Sequence, residues 1–196
     1  MDKDLVIETE RLLLRAWKIE DADDLVDGLN NLEVSKWMAF TPYPYTKENA
    51  LDFINKAIND NAYSFAIVLK SENKVIGGTQ IRKIDLVQGT ASGGIWINAK
   101  YHGHGYGREA WGARIKYAFE TLGLRRLENG FFAGNEKSWK MQKSFGYKLE
   151  GTRRKKYICL STGKIVDENV TGLLKEEWIK LWYNQGFICL TTIWLI

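Results

Sequence analysis

The chain has 196 residues, a length that suits one domain able to bury about 70% of its unfolded surface without disulfides or a structural metal. His102 and His104 lie together, but no second His/Cys cluster follows at ligand spacing, so we expect no metal. The net charge of +4 is mild, and we expect neither a membrane nor nucleic acid as a direct partner.

The amino-terminal segment is acidic and charged. Its sequence, M-D-K-D-L-V-I-E-T-E-R, differs from the basic and then apolar start of a secretory signal. We therefore expect a cytoplasmic protein in which Cys159 and Cys189 are reduced thiols.

The hydrophobic pattern alternates between strand and helix periods, which predicts one mixed α/β domain over residues 1–180. The predicted strands are 10–15, 63–69, 75–81, 95–97, 126–132, 147–150, 156–160 and 165–174, and the predicted helices are 20–29, 47–62, 108–122 and 136–144. A tight turn between the second and third strands predicts a hairpin, so the sheet is expected to begin as an antiparallel meander.

Four aromatic residues cluster beside Pro42 and Pro44, between the first two predicted helices. They are Trp37, Phe40, Tyr43 and Tyr45. Their spacing is neither helical nor strand-like. Such a cluster can line the mouth of a substrate site or simply pack as a loop, and both interpretations remain open. Trp37, Phe40 and Tyr43 are therefore candidate substrate contacts.

Residues 101–110 read Y-H-G-H-G-Y-G-R-E-A, with three alternate glycines between a predicted strand and a predicted helix. Glycines leave backbone N–H groups accessible and a helix start is positive, so the segment suits a phosphorylated cofactor. The spacing is neither G-x-G-x-x-G, because Arg108 occupies the third glycine position, nor G-x-x-x-x-G-K-[ST]. A glycine turn without a ligand remains the alternative.

Two further segments have no assigned function. The basic run at 153–156 favours a solvated strand start over a patch that binds anions or RNA. The tail at 181–196 ends in an apolar run that is too short to cross a bilayer as a helix. It would aggregate if exposed, so it needs cover from its own domain or from a second subunit of a homodimer, unless it is a cloning-derived extension.

A second motif, N-E-K-S-W-K-M-Q-K-S-F-G-Y-K-L-E-G at residues 135–151, resembles the end of the acyl-CoA site in the GNAT superfamily of N-acetyltransferases. The segments E-T-E-R-L-L-L-R-A-W, V-I-G-G-T-Q-I and Y-A-F-E-T-L-G-L-R-R-L, together with residues 101–110, resemble its RimJ/RimL-type branch, which acts on ribosomal-protein amino termini. The motifs match in order and spacing from about residue 7 to 178.

The resemblance implies a single GNAT domain with a splayed, mixed sheet of about seven strands flanked by helices. It implies acetyl-CoA as a co-substrate, wedged between the strands at 95–97 and 126–132. The implied CoA contacts are Ile95, Trp96, Ile97, His102, Gly103, His104, Gly105, Tyr106, Gly107, Arg108, Asn135, Ser138 and Lys143. On this likeness the N–H groups of residues 103–108 hold the pyrophosphate, and Lys143 approaches the CoA phosphates.

Three positions depart from the family pattern. His102 stands where Arg or Gln usually begins the loop, Gln142 where many members have a Tyr general acid, and Ser92 where Glu is common. The resemblance leaves Ser138 as the proton donor to the leaving thiol, although a serine there can instead cap the helix. Asn135 is a further catalytic candidate, near the thioester.

The acceptor amine is constrained by its own chemistry. Asp167 and Glu168 are the remaining candidates for a base or an amine-orienting group, and each can equally be an ordinary strand charge. Glu109 is expected to stabilise its helix start instead. At pH 7 an α-amine of pKa about 7.8 is about one tenth neutral, whereas a lysine of pKa about 10.4 is neutral to about one part in a few thousand. A weak base therefore favours α-amines or other amines of low pKa.

The expected activity is transfer of the acetyl group of acetyl-CoA to a primary amine, by direct attack in a ternary complex. The acceptor can be a protein amino terminus or a small-molecule amine, because one scaffold serves many acceptors. A thiol of pKa about 8.5 leaves readily, so loss of the Tyr does not exclude catalysis. A non-catalytic acyl-CoA-binding or regulatory module remains the alternative.

Overall fold

The computed structural model describes residues 5–59 and 63–184. Eight strands form one mixed sheet in the order β1-β2-β3-β4-β5-β6-β8-β7. The strands are β1 Val6–Glu8, β2 Leu12–Ala16, β3 Tyr63–Leu69, β4 Lys74–Asp85, β5 Thr90–Ile97, β6 Arg126–Phe132, β7 Lys148–Ile158 and β8 Ile165–Leu174. The helices are α1 Ala22–Leu29, α2 Leu32–Ser35, α3 Lys47–Asn59, α4 Tyr106–Lys116, α5 Glu136–Ser144 and α6 Lys175–Asn184.

Strands β1 to β5 form an antiparallel meander, and its middle strand β3 is buried on both faces. Side chains alternate between the faces, so Leu14 and Phe65 pack in the layer that contains α4, whereas Ala66 and Val68 pack in the layer that contains α1 and α3. Helices therefore pack on both faces of the meander and hold β4 and β5 in place. The predicted hairpin is formed by β3 and β4.

The sheet splays open between β5 and β6. These parallel strands pair only from Thr90–Arg126 to Ser92–Glu128, although β5 continues to Ile97 and β6 to Phe132. Beyond Ser92, β5 keeps its pairing with β4 and β6 keeps its pairing with β8, so the opening lies between two intact halves of the sheet. The expected splayed sheet is thus confirmed at the expected pair of strands.

The outer hairpin of β7 and β8 corrects one expectation. The predicted strands at 147–150 and 156–160 form a single strand, β7, with a bulge between Arg153 and Tyr157 where Lys155 adopts a φ of 50°. The basic run therefore lies inside a strand and not at a strand start. At a sheet edge, exposed charges remain solvated and discourage pairing with other chains.

The other differences concern short or amphipathic elements. The sheet has eight strands rather than about seven, because the three-residue β1 gives no alternating pattern yet pairs with β2. The four-residue α2 was too short to give a helical period. The predicted domain limit at residue 180 falls within α6, and the apolar residues 185–196 lie outside the described residues.

Candidate active site

A cavity of about 1470 Å³ occupies the opening of the sheet. Residues 93–97 of β5 and 129–132 of β6 line its two walls. Residues 101–108, without His104, belong to what we call the glycine-loop end, whereas Trp37, Phe40, Phe132, Tyr157 and Glu168 belong to what we call the aromatic end. This volume exceeds the 300–1,000 Å³ of an ordinary small-ligand pocket, so the cavity has room for two substrates.

The glycine loop exposes a helix start. Gly103 and Gly105 have φ values of +84° and +82°, a region that L-residues with side chains rarely adopt. Gly105 is the N-cap of α4, and no side chain accepts a hydrogen bond from the first turn. The N–H groups of that turn therefore remain available to an anionic ligand, and the helix dipole favours negative charge there.

Gly107 differs from the other two glycines because its φ is not positive. A Cβ at this position would lie 3.4 Å from Cγ1 of Ile97 and 4.0 Å from the sulfur of Met141. These are ordinary van der Waals distances, so the packing of α4 against β5 and α5 does not itself require a glycine here. Gly107 also lines the cavity, so its backbone is accessible to a ligand.

The side chains of both histidines in the loop are hydrogen-bonded to backbone carbonyl oxygens. Nε2 of His102 donates to the carbonyl oxygen of Ile97 at 2.8 Å, and Nδ1 of His104 donates to the carbonyl oxygen of His102 at 2.9 Å. His104 stacks on Tyr106 and does not line the cavity, whereas His102 does. The imidazole of His102 therefore shapes the loop through its hydrogen bond to β5.

An ion pair anchors α4 to the turn between β1 and β2. The Glu109 carboxylate accepts from the Thr9 hydroxyl at 2.6 Å, from the Arg11 backbone N–H at 2.8 Å and from Arg11 Nε at 2.7 Å. Burial alone would raise the pKa of Glu109, but these hydrogen bonds outweigh it and lower the pKa. Arg11 also donates to the His104 carbonyl at 3.0 Å. Glu109 thus stabilises the helix start, and Arg11 is a contributor that no local motif indicated.

The two predicted cationic contacts occupy different places. Arg108 lines the cavity, donates to Ser144 Oγ at 2.7 Å and lies over the Phe145 ring. Lys143 is exposed and lies outside the cavity lining, because it is on another face of α5 from the lining residues Ser138 and Met141. The side chain of Arg108 is therefore the better placed of the two to meet a phosphate.

Residues Ile95, Trp96 and Ile97 all line the cavity, as expected of the strand beside the cofactor. Beyond Ser92, β5 has no ladder partner on the β6 side, so a ligand can meet the backbone of this strand edge. The Ser92 hydroxyl donates to the Arg82 carbonyl oxygen at 3.4 Å and lies outside the lining. Ser92 therefore does not substitute for the missing glutamate.

Asn135 and Ser138 have distinct roles at the start of α5. Oδ1 of Asn135 accepts from the Ser138 backbone N–H at 3.1 Å, so Asn135 is the helix cap. The hydroxyl of Ser138 is not needed as a cap, and its oxygen instead accepts from Nε2 of Gln142 at 3.0 Å. Both Asn135 and Ser138 line the cavity. The capping interpretation of Ser138 is therefore wrong, because Asn135 already satisfies the helix start.

Asp167 and Glu168 are adjacent but face different surroundings. Asp167 lies outside the cavity lining and accepts from the backbone N–H of Lys155 at 2.7 Å, within the bulge of β7. Glu168 lines the cavity, its side chain is 12% exposed, and it pairs with Arg153 at 3.1 Å. Asp167 is therefore excluded as the base, and Glu168 alone of the two candidates faces the cavity, because successive side chains of a strand point to opposite faces.

Tyr157 is a cavity residue that sequence analysis missed. Burial and then the nearby carboxylate of Glu168 raise the pKa of Tyr157, so its phenol stays protonated near neutral pH. Its ring packs against Phe132 at 6.1 Å between ring centres and edge-on against Phe40 at 5.6 Å. Only the pairing of β7 with β8 brings Tyr157 here, so no local motif could have indicated it.

Of the three aromatic residues predicted to contact the substrate, two line the cavity and one does not. Trp37 and Phe40 line the cavity and are 36% and 71% exposed, whereas Tyr43 lies outside the lining. Tyr45 is buried and donates to the Asn49 carbonyl oxygen, and burial raises its pKa to about 12. Trp37 and Phe40 thus fit a substrate mouth, whereas Tyr45 borders the cavity only as a buried residue of the packed loop.

Two further expectations concern metals and membranes. Within residues 5–59 and 63–184 no three His, Cys, Asp or Glu side chains are grouped closely enough to hold a metal ion. None of the helices in this part of the chain has the length and apolar character needed to cross a membrane.

Comparison with known proteins identifies the family. A family described as "Acetyltransferase (GNAT) domain" matches residues 11–148. An uncharacterized N-acetyltransferase, p20, of Bacillus licheniformis is 34% identical over 175 residues, which cover 87% of this chain and 96% of that protein.

Two solved structures share the fold. The ribosomal-protein-S5-alanine acetyltransferase of Vibrio fischeri has a TM-score of 0.69 at 24% identity, covering 89% of this chain and 99% of that chain. The spermidine N-acetyltransferase of Vibrio cholerae, in complex with CoA and spermine, has a TM-score of 0.74 at 21% identity, covering 87% and 99%.

The uncapped helix start, the exposed loop backbone and the splayed strand edge fit the pyrophosphate and the extended arm of CoA. Together with the family match, they establish acetyl-CoA as the co-substrate and an amine as the acceptor. The chain therefore belongs to the GNAT family and is an acetyl-CoA-dependent N-acetyltransferase.

Proposed function

We propose that this enzyme acetylates an α-amine at the amino terminus of a polypeptide, by direct attack of the amine on the thioester. Glu168 at the aromatic end orients the amine and accepts its proton, and Ser138 donates a hydrogen bond to the leaving sulfur. The observation that carries the proposal is the position of Glu168, a largely buried carboxylate in the wall of the cavity.

The geometry around Glu168 supports its role toward an amine. Its carboxylate packs over the backbone of β6, since a Cβ on Gly130 would lie 2.3 Å from Oε1. Glycine at that position therefore makes room for the carboxylate beside the opening of the sheet. A carboxylate with little exposure attracts a cationic or partly protonated amine more strongly than one in bulk water.

Glu168 and Ser138 together account for the proton and the negative charge that the transfer releases. The nitrogen lone pair forms the new C–N bond, the C–S bond breaks, and the sulfur leaves with the bonding pair. One amine proton passes to Glu168 or through it to solvent, and the hydroxyl of Ser138 stabilises the negative charge on sulfur. Because a thiolate is a good leaving group near neutral pH, a hydrogen bond from Ser138 is sufficient assistance.

Two considerations favour an α-amine over a polyamine. A carboxylate is a weak base, so an acceptor that is already about one tenth neutral at pH 7 reacts more readily than an alkyl ammonium. Six Lys or Arg side chains line the cavity against four Asp or Glu side chains, so the net charge of the lining does not favour a polycation. Fold alone does not choose, because enzymes for both acceptor classes share it.

Substitution of Glu168 tests the proposal. We expect Glu168→Gln to lower kcat/KM for the amine about a hundredfold, in the range of lost general-base catalysis, with KM for acetyl-CoA nearly unchanged. Asp167→Asn is the matched control, because Asp167 precedes Glu168 on the same strand but lies outside the cavity lining. Rates would be measured by thiol release on peptides with free amino termini, and on spermidine and other small amines.

Two outcomes would contradict the proposal. Equal losses for Glu168→Gln and Asp167→Asn would show that the strand, and not the carboxylate, matters. Higher kcat/KM on small amines than on every peptide would replace the α-amine acceptor with a small molecule while leaving acetyl transfer intact.

A further inference from the structure

Three buried or half-buried side chains form a chain of hydrogen bonds behind the cavity. The Thr171 hydroxyl of β8 lies 2.6 Å from Oε1 of Gln142, and Nε2 of Gln142 lies 3.0 Å from Oγ of Ser138. Gln142 and Thr171 have no exposed surface, and Ser138 lines the cavity. Gln142 occupies the position at which many relatives carry a tyrosine, yet its side chain points at a serine and not into the cavity.

The two distances fix the direction of each hydrogen bond. A separation of 2.6 Å is typical of O–H···O and short for N–H···O, so the contact of Thr171 is made by the amide oxygen of Gln142. A separation of 3.0 Å is typical of N–H···O, so the amide nitrogen of Gln142 meets Ser138. The longer contact of Thr171 with the Asn129 carbonyl oxygen, at 3.3 Å, is secondary.

This direction determines what the Ser138 proton can do. The Ser138 oxygen already accepts a hydrogen bond from Gln142, so its single proton must point elsewhere. Among the described residues, the Ser138 hydroxyl donates no hydrogen bond that would compete with a ligand, and Ser138 borders the cavity. A hydroxyl that accepts one hydrogen bond is also a stronger donor of the next, because such chains polarise cooperatively.

We propose that Gln142 and Thr171 are positioning residues, which hold the Ser138 hydroxyl with its proton directed at the leaving sulfur. This inference rests on the proposed role of Ser138. Thr171 fixes the orientation of the Gln142 amide, and the amide prevents the Ser138 hydroxyl from turning its proton into the protein. Gln142, which stands where a tyrosine general acid is expected, therefore still assists the leaving group, but it does so through Ser138.

Steady-state kinetics of five variants, including the Ser138→Ala/Gln142→Met double variant, test the positioning. Gln142→Met keeps the approximate size of the side chain but cannot donate, so we expect kcat to fall about tenfold, as for one lost hydrogen bond, with KM for acetyl-CoA unchanged within twofold. In a Ser138→Ala background the same substitution should change kcat by less than about twofold, because the hydroxyl it positions is already gone. Thr171→Val should lower kcat, and Thr171→Ser, which keeps the donor, should retain more of the rate than Thr171→Val.

Thr152→Val provides a matched control for the loss of a threonine-to-amide hydrogen bond. The Thr152 hydroxyl donates to Oδ1 of Asn169 at 2.8 Å between β7 and β8, outside the cavity lining, so kcat should not change. Thermal melting shows whether Gln142→Met or any other variant alters folding. The comparison of Thr171→Val with Thr171→Ser tests the same series of hydrogen bonds without changing Gln142.

Each contrary result has a distinct meaning. A kcat of Gln142→Met equal to or above that of the wild type overturns the positioning, because the amide would then be holding the proton back. An equal loss in the wild-type and Ser138→Ala backgrounds also overturns it, because Gln142 would act through packing alone. An unchanged kcat in Ser138→Ala removes Ser138 itself from the proposed mechanism, whereas the role of Glu168 would stand.

Discussion

The two ends of the cavity are constructed in opposite ways. At the glycine-loop end, backbone groups are accessible from the cavity, and side chains anchor the loop. Arg11 pairs with Glu109, and His102 donates to the Ile97 carbonyl oxygen. At the aromatic end, side chains face the cavity, and they come from an irregular loop and from the outer hairpin of the sheet.

This difference matches what each end has to recognise. CoA is the same in every reaction of the family, and backbone N–H groups held in place by glycine conformations suit its pyrophosphate whatever the neighbouring side chains are. The acceptor varies, and exposed side chains such as Phe40 can change without disturbing the core. Variants at the first end should therefore alter cofactor affinity or stability, and variants at the second should alter the acceptor.

Among the variants of the glycine-loop end, the largest expected effect is that of Gly103→Ala. Gly103 has a φ of +84°, and a side chain in this region costs about 1–2 kcal/mol. The loop relieves that strain when no ligand is bound and must restore it on binding, so CoA affinity should fall about tenfold, the equivalent of 1.4 kcal/mol. Isothermal titration with CoA measures the change.

Gly163→Ala is the matched control for Gly103→Ala. Gly163 has a φ of +67°, lies in the turn between β7 and β8, and, like Gly103, has open space where a Cβ would stand. We expect a comparable strain without any change in CoA affinity. Equal affinity losses for the two variants would mean that general destabilisation, and not loop geometry, weakens binding.

A smaller effect is expected from Glu109→Gln, which tests the anchor of the glycine loop. The pKa of Glu109 is lowered from its ordinary value of 4.5, so its stabilising contribution is complete above that pH and is lost as pH falls through the lower folded-state pKa. We expect a loss of about 1 kcal/mol at pH 7, at the low end for a charged hydrogen bond because Arg11 is 42% exposed. The difference from the wild type should shrink below pH 4.5 in urea unfolding.

Glu33→Gln is the control, since the pKa of Glu33 is likewise lowered, by its hydrogen bond with Lys36, although Glu33 is exposed. An exposed pair of this kind contributes little, so stability should be nearly unchanged. Similar losses for both variants would reduce the Glu109 anchor to an ordinary surface ion pair.

The glycine-loop end was predictable from sequence because its information is local. The loop, the helix after it and the cap at Asn135 lie within continuous segments, and the parallel strands at β5 and β6 follow from the family motifs. The sequence did not show which side chains of β8 face the cavity, because this depends on the register of the strand, so it could not choose between Asp167 and Glu168.

The rest of the site depends on pairings between distant segments. Tyr157 reaches the aromatic end only through a bulged edge strand, and Thr171 meets Gln142 across 29 positions of sequence. The anchor joins Arg11 to Glu109 across 98 positions. Periodicity and spacing carry no information about such contacts, since they are set by how strands and helices pack in the tertiary structure.

The smallest expected effect is that of Phe40→Ala, which tests the aromatic end alone. Phe40 is 71% exposed and meets the cavity through its edge-on contact with Tyr157, so we expect KM for the acceptor to rise about threefold, within the value of one aromatic contact. KM for acetyl-CoA and the melting temperature should not change, because the ring is neither in the core nor near the glycine loop. Leu86→Ala is the control, as Leu86 is 72% exposed and lies outside the cavity lining. If Phe40→Ala changes KM for acetyl-CoA instead, the two ends are coupled, and the division between a shared cofactor site and a variable acceptor site fails.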